Sequence, residues 1–130
     1  MRVLLDINVL VSAVLFGGLP RRILEGAARG EFELVTGVEL LDELEDVLVE
    51  RFGFQRGAAG LTRAEIEAIA ELAVPTALPA ASRDPDDDVV LATATAGAVA
   101  TIVTGDKDLL VLGSHADIPI RTPREFHDRP

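Results

Sequence analysis

Met1-Arg-Val-Leu-Leu-Asp-Ile-Asn-Val-Leu10 opens the chain, and its reading decides the architecture. Three consecutive apolar residues, Val3 to Leu5, run straight into Asp6. A run this short and this apolar suits a central strand buried on both faces of a parallel sheet. Asp6 then falls at the strand's carboxyl end, and in open α/β sheets ligands bind in the crevice beyond those ends. An acid placed there is desolvated on one side and needs a cation, a donor or a metal. Asp6 also stands where it can cap a helix beginning near Asn8. At this point both roles are open.

Working outward, Asn8 to Phe16 is apolar nearly all round, interrupted only by Ser12, and reads as a buried helix ended by Gly17-Gly18. Pro20 opens a second helix and Gly30 closes it. Arg21 and Arg22 fall in its first turn, where cations oppose the helix dipole. They read as solvated surface residues or as partners of a phosphate or carboxylate. Phe32 to Val35 is a second strand. In the helix from Val38 to about Arg51, Leu40, Leu41, Leu44, Val47 and Leu48 share one face at 100° per residue. Asp42 and Asp46 lie well away from that face. Glu43 lies on one rim, about 40° from Val47, and Glu45 on the other, beside Leu41. Periodicity does not choose between the two rim acids.

Arg51-Phe-Gly-Phe-Gln-Arg-Gly57 is a glycine-interrupted stretch with interleaved aromatics and cations. Its two phenylalanines and two arginines could stack on and pair with a single-stranded nucleic acid, Phe54 and Arg56 being the pair to replace as a test, or the phenylalanines could tuck into the core or a dimer interface. Thr62-Arg-Ala-Glu65 has the pattern of a capping box, predicting a helix from there to about Ala73. Val74 to Pro79, with two prolines, is an edge strand or a loop. Asp84-Pro-Asp-Asp-Asp88 opens another helix, with Asp84 as N-cap and Pro85 at the first position. Asp87 shares a face with Leu91, Ala94 and Ala98, an apolar face of small residues, so this one acid is aimed toward the core. Val99 to Thr104 is a further parallel strand running into Gly105-Asp106. Ile118 to Arg121 holds Pro119 and reads as an edge strand, and Thr122 starts a short terminal helix. Strands alternating with helices, without a hairpin signal, predict an α/β fold: helices on both faces of a central parallel sheet of four to five strands.

Composition limits the chemistry. The 130 residues suffice for one domain that buries about two-thirds of its unfolded surface. Cysteine is absent, which removes thiol catalysis, thiolate zinc sites and disulfides together. The formal net charge of −10 is the reverse of what duplex binders living on phosphate contacts carry. An acidic protein can still act on nucleic acid where carboxylates hold a divalent ion that inverts the local charge. No long uncharged apolar run and no basic leader are visible, so a cytoplasmic protein without a membrane segment is expected.

Asp6 and Asp106 both end strands, Asp87 begins a helix on its buried face, and Glu43 rims another. If the first strand lies beside the Val99–Thr104 strand, Asp6 and Asp106 meet in one crevice and repel. Lys107 is the only lysine, so Mg²⁺ or Mn²⁺, which take oxygen ligands, are the natural counter-charge. His115 and His127 sit in polar surroundings and read as surface residues.

These segments, in order, resemble the PIN-domain ribonucleases that serve as toxins of prokaryotic toxin–antitoxin pairs (VapC-like). The resemblance is carried by Leu5-Asp-Ile-Asn-Val-Leu-Val-Ser12, Glu39-Leu-Leu-Asp-Glu-Leu44, Asp84-Pro-Asp-Asp-Asp88 with Leu91-Ala-Thr-Ala94, and Val103-Thr-Gly-Asp-Lys-Asp-Leu109. The closing Thr122-Pro-Arg-Glu-Phe126 fits as well. It implies a three-layer α/β/α PIN-like domain over residues 1–130, with Asp6, Glu43, Asp87 and Asp106 as metal-binding catalytic acids and Asp108 as an accessory ligand. It selects Glu43 over Glu45, and gives Asn8, Ser12 and Thr104 supporting places. Ile7 and Gly37 depart from the family's hydroxyl residues at those points. The reaction implied is endonucleolytic hydrolysis of RNA assisted by one or two Mg²⁺ or Mn²⁺ ions, which polarise the phosphate and lower the pKa of an attacking water. A homodimer and a cognate antitoxin, basic toward this acidic surface, are implied as partners. Two rivals stand beside this reading. A phospho-acceptor receiver domain would need an acidic pair after the first strand, which this chain lacks. A catalytically silent PIN-like scaffold acting as a protein-binding regulator calls for a lost acid, and none is missing.

Overall fold

Val3, Leu4 and Leu5 are fully buried, as a central strand requires. They belong to β1 (Arg2–Leu5), the middle of a sheet in a computed structural model that describes residues 1–76 and 85–129. After it come α1 (Ile7–Leu15), α2 (Gly18–Ala28), β2 (Glu33–Thr36), α3 (Val38–Phe52), α4 (Arg56–Ile69) and β3 (Ala70–Leu72). The second half runs α5 (Pro85–Ala96), β4 (Thr101–Val103), α6 (Lys107–Leu110), β5 (Ser114–His115), β6 (Ile118–Arg121) and α7 (Pro123–His127).

The six strands stand in the order β3-β2-β1-β4-β6-β5. All neighbours are parallel except β5 and β6. From β1 the chain moves outward through β2 to β3, then returns to add β4, β6 and β5 on the other side. The order therefore reverses between β1 and β4, where an open α/β sheet leaves a crevice at its carboxyl ends. In register, Val3 faces Thr101, Leu4 faces Ile102 and Leu5 faces Val103. This pairing is the one that brings Asp6 beside the Thr104–Asp106 turn.

The helices flank the sheet through the faces their periodicity assigns. Leu40, Leu41, Leu44 and Leu48 of α3 are all buried, with Asp42 and Asp46 exposed opposite. Arg21 is not a free surface cation. Its guanidinium donates to the carbonyls of Ala13 at 2.8 Å and Val14 at 2.9 Å, serving the last turn of α1 where carbonyls lack helical partners.

Several elements differ from their expected form. The Arg51–Gly57 stretch is mostly helical: Arg51 and Phe52 finish α3, Gly53 caps it at φ +72°, and α4 begins at Arg56. Phe54 is half-buried against the core and Arg56 pairs with Asp46 at 3.0 Å. The capping box expected at Thr62 does not form, because α4 starts six residues earlier around the fully buried Ala59. The Thr62 hydroxyl instead donates to the Ala58 carbonyl one turn back. The same pattern at Thr122 does make a capping box, with Glu125 as its second member. The expected helix end, residues 70–72, is the edge strand β3, whereas Val74 to Thr76 form no strand and 77–79 lie outside the described residues, as does Asp84. The strand at Ile118–Arg121 is not an edge, since β5 pairs outside it through a two-residue turn, Ala116-Asp117, with both φ values positive. Ala98 leaves the α5 face altogether and is exposed at φ +49°.

The turn after α5 makes two opposite predictions. A Cβ on Gly97 would lie 2.6 Å from Val35 Cγ1, in the closed core beneath β2. Gly97→Ala should therefore cost about 1–3 kcal/mol through overpacking. Ala98 is held in the left-handed region, which costs an L-residue about 1–2 kcal/mol, so Ala98→Gly should stabilise by up to about 1 kcal/mol. Urea unfolding of both variants checks this, and equal midpoints for the two would refute it.

Candidate active site

Asp6 sits at the carboxyl end of β1, only 6% exposed, and its two oxygens have different tasks. Oδ1 accepts the Ile7 backbone N–H at 2.8 Å, so Asp6 does cap α1. Oδ2 accepts the Thr104 hydroxyl at 2.7 Å. Thr104 in turn accepts the Asp106 backbone N–H at 2.9 Å, and the Asp106 carboxylate accepts the Asp108 backbone N–H at 2.9 Å, opening α6. Asn8 reaches across to the Gly105 N–H at 3.4 Å. One continuous hydrogen-bond chain thus ties the end of β1 to the end of β4. The cap and the cleft acid are one residue.

Burial pushes the Asp6 carboxyl above its ordinary range, and the nearby Asp106 charge adds to the rise. The Thr104 and Ile7 donors work in the other direction but do not cancel it. Both donors are neutral.

Asp87, at the leading end of α5, is 5% exposed, so it does point inward as its spacing from Leu91 and Ala94 predicts. Asp6, Glu43, Asp87 and Asp106 all line one cavity of about 410 Å³, together with Asn8 and Ser12. The four acids come from four separate elements. Glu45 is turned the other way: it pairs with Arg63 of α4 at 3.1 Å, in a cluster that also holds Asp42 and Glu67. A tertiary partner, invisible in the period of α3, thereby distinguishes the two rim acids.

The donor set suits a hard divalent cation. Carboxylate oxygens of Asp87, Asp106 and Asp108 all lie within 4.8 Å of one another. Oxygens bound to one Mg²⁺ at about 2.1 Å stand up to about 4.2 Å apart, so small side-chain rotations close this group on an ion. Asp108, expected as an accessory, belongs to that tight group, while Asp6 and Glu43 complete the cavity wall around it. His115 is half-buried in β5 and His127 exposed on α7, and neither lines the cavity.

The two departures from hydroxyl residues have local reasons. Ile7 is buried in the core. A Cβ on Gly37 would lie 3.1 Å from Thr93 Cγ2 and 3.2 Å from the Ala73 carbonyl, which leaves little room for a side chain. At the mouth of the cavity the sequence reading marked the Arg51–Gly57 stretch but missed Phe16. Phe16, Arg51 and Phe52 line that mouth, contributed by the ends of α1 and α3. The one visible signal is that both phenylalanines directly precede a glycine at a helix end.

No curated protein matches the chain. A family model described as PIN domain, a family generally of nucleases, matches residues 2–108 and so includes every acid of the cavity. With most of its length in that match, the chain belongs to the PIN domain family.

Proposed function

We propose that the chain is a metal-dependent endoribonuclease, a single PIN-like domain over residues 1–130, in which Asp6, Glu43, Asp87 and Asp106 are the catalytic metal-binding acids and Asp108 a further ligand. The observation that carries this reading is the convergence of four acids from separate elements on one cavity at the strand-order reversal. A bound Mg²⁺ or Mn²⁺ supplies the Lewis acidity that polarises a phosphate and acidifies water. Asp87, Asp106 and Asp108 form the tightest part of the cradle. Asp6 is held rigid by Thr104 and the Ile7 N–H, so its orientation is fixed before substrate arrives. Thr104 sets the spacing between Asp6 and Asp106, and Glu43 orients water from the α3 wall. Val11, Val47 and Val90 add apolar side chains to a wall that also holds Asn8 and Ser12.

The finer reading is that of a toxin in a toxin–antitoxin pair, working as a cytoplasmic homodimer. Its support is the family resemblance and the net charge of −10, which favours an antitoxin segment carrying Lys and Arg. Among the described residues no single helix is long and apolar enough to cross a membrane.

Cleavage of single-stranded RNA should require Mg²⁺ or Mn²⁺ and stop in EDTA; undiminished cleavage in EDTA would remove the metal from the mechanism. Glu43→Gln should lower kcat/KM by at least about tenfold, on the scale of lost metal-site support. Glu45→Gln should leave it unchanged, because Glu45 is turned away from the cavity onto Arg63. Equal activities for the two variants would contradict the assignment.

Asp6→Asn separates ligand from cap. The folded Asp6 pKa lies above its ordinary value of 3.8, so its contribution to stability is full below that value and is lost as pH rises through the folded pKa. Without metal, Asp6→Asn should therefore match or exceed wild-type stability at neutral pH, and the difference should shrink toward pH 4. With Mg²⁺ at a hundredfold excess over its dissociation constant, wild type should gain about 2.7 kcal/mol. The variant should lose most of that gain and nearly all cleavage. Thermal melts with EDTA and with Mg²⁺ measure both effects, and an unchanged metal-induced shift in Asp6→Asn would show that Asp6 is not a ligand.

A further inference from the structure

The mouth of the acid cavity carries a feature the catalytic reading leaves unused. The chain has no Trp or Tyr and only five Phe. Two of these, Phe32 and Phe126, are buried edge to face in the core. Two others, Phe16 and Phe52, meet edge to face at 6.1 Å between centroids but in solvent, 72% and 43% exposed. Packing does not require this arrangement, since an exposed ring forgoes most of the burial that favours a phenylalanine inside. The helices α1 and α3 pack together, and their C-terminal ends bring the rings onto the cavity that holds Asp6, Glu43, Asp87 and Asp106. Arg51, one residue before Phe52, lines the same cavity, is exposed, and makes no hydrogen bond or ion pair with another described residue. Arg56, by contrast, is engaged by Asp46.

We infer that Phe16 and Phe52 form a stacking platform for an unpaired base next to the scissile phosphate, with Arg51 pairing to a flanking phosphate. The inference rests on the nuclease reading and adds to it the residues outside the acid cluster that would hold the RNA: two rings for an unpaired base and one guanidinium for a neighbouring phosphate. The chemistry is specific to that occupant. A π-face takes any base once it is unstacked, and a guanidinium neutralises the adjoining backbone charge. A duplex hides both faces of every base and offers this rim only phosphates. On a chain of net charge −10 an arginine at the cavity mouth that no other described residue engages is also the local exception that a polyanion needs. Of the two phenylalanines and two arginines in the Arg51–Gly57 stretch, Phe52 and Arg51 take this role, while Phe54 is half-buried on the core and Arg56 is held by Asp46.

Two measurements test it. In the first, a short single-stranded RNA carrying 2-aminopurine is titrated with protein in Ca²⁺, which takes the same oxygen ligands as Mg²⁺. Stacking quenches the probe, so wild type should quench it. Phe16→Leu/Phe52→Leu should bind roughly tenfold or more weakly without quenching, Phe52→Trp should retain it, and Arg51→Ala should bind more weakly with a shallower salt dependence. In the second, cleavage in Mg²⁺ should show a KM raised roughly tenfold or more in the double variant, with kcat within about twofold. Both rings are exposed, so leucine should leave the fold intact, and the single Phe16→Leu variant gives an independent reading. Quenching by wild type without any cleavage would overturn the nuclease reading while leaving the platform standing. Cleavage with equal KM in wild type and double variant would overturn the platform. So would unchanged RNA binding together with a lost dimer in light scattering, which would make the ring pair a self-association face.

Discussion

Burying one carboxylate between two parallel strands is the constraint from which the rest of this structure follows. The Asp6 carboxylate is tied to the Ile7 N–H and the Thr104 hydroxyl, and its backbone N–H donates to the Val103 carbonyl at 2.9 Å. Hydrogen bonds to a charged group are each worth about 1.5–3 kcal/mol. Removing a carboxylate from water costs several kcal/mol even after relaxation. Two neutral donors therefore do not restore what is lost, and the carboxyl pKa is raised. The fold tolerates this because β1 and β4 are locked in register by Val3, Leu4 and Leu5 against Thr101, Ile102 and Val103. Register fixes Thr104 opposite Asp6, and Thr104 fixes Asp106. A one-residue slip would move Thr104 away from Asp6 and separate the two acids at once.

Away from that crevice, the arginines are spent on structure. Arg63 holds Asp42, Glu45 and Glu67 and so fastens α4 to α3. Arg2 holds Glu33 and Glu71 across β2 and β3 and also donates to the Gly97 carbonyl at 2.7 Å, joining the far edge of the sheet to the turn after α5. Pairs this exposed contribute about 1 kcal/mol or less each, so they orient elements more than they hold them. They also remove competitors: a rim acid engaged by an arginine is withdrawn from the cavity, as Glu45 is.

Much of the architecture is legible in sequence because its core strands are short apolar runs and its helices have one apolar face. Asp6, Asp87 and Asp106 are legible for the same reason, each being an acid at a place that apolar periodicity or a strand end marks as inward. What was hidden has physical causes. The Ala116-Asp117 turn adopts positive φ without the Asn-Gly pair that normally announces such a hairpin, so β5 and the inner position of β6 were not visible. Gly57 and Gly60 look like helix breakers, yet α4 runs through both because Ala59 packs against the core. Ala98 continues the apolar spacing of α5 on paper, but the helix ends at Ala96 to let Gly97 approach Val35. The choice between Glu43 and Glu45, and the gathering of Phe16 with Phe52, depend on which helices become neighbours, and a single helix's period contains no such information.

An acidic chain that acts on a polyanion must divide recognition between parts that a basic protein would merge. A basic surface binds phosphates everywhere and positions the reacting one afterwards. Here the described arginines are largely committed to intramolecular pairs, and the cavity itself is walled by carboxylates. In the proposed enzyme, attraction for the reacting phosphate therefore exists only once a divalent ion is bound, because that ion is what reverses the sign of the cavity. Binding energy that does not depend on the ion has to come from elsewhere, and among the described residues the Phe16–Phe52 rim with Arg51 beside it is placed on the cavity to supply it. Such a division makes affinity for nucleic acid conditional on both metal and unpaired bases.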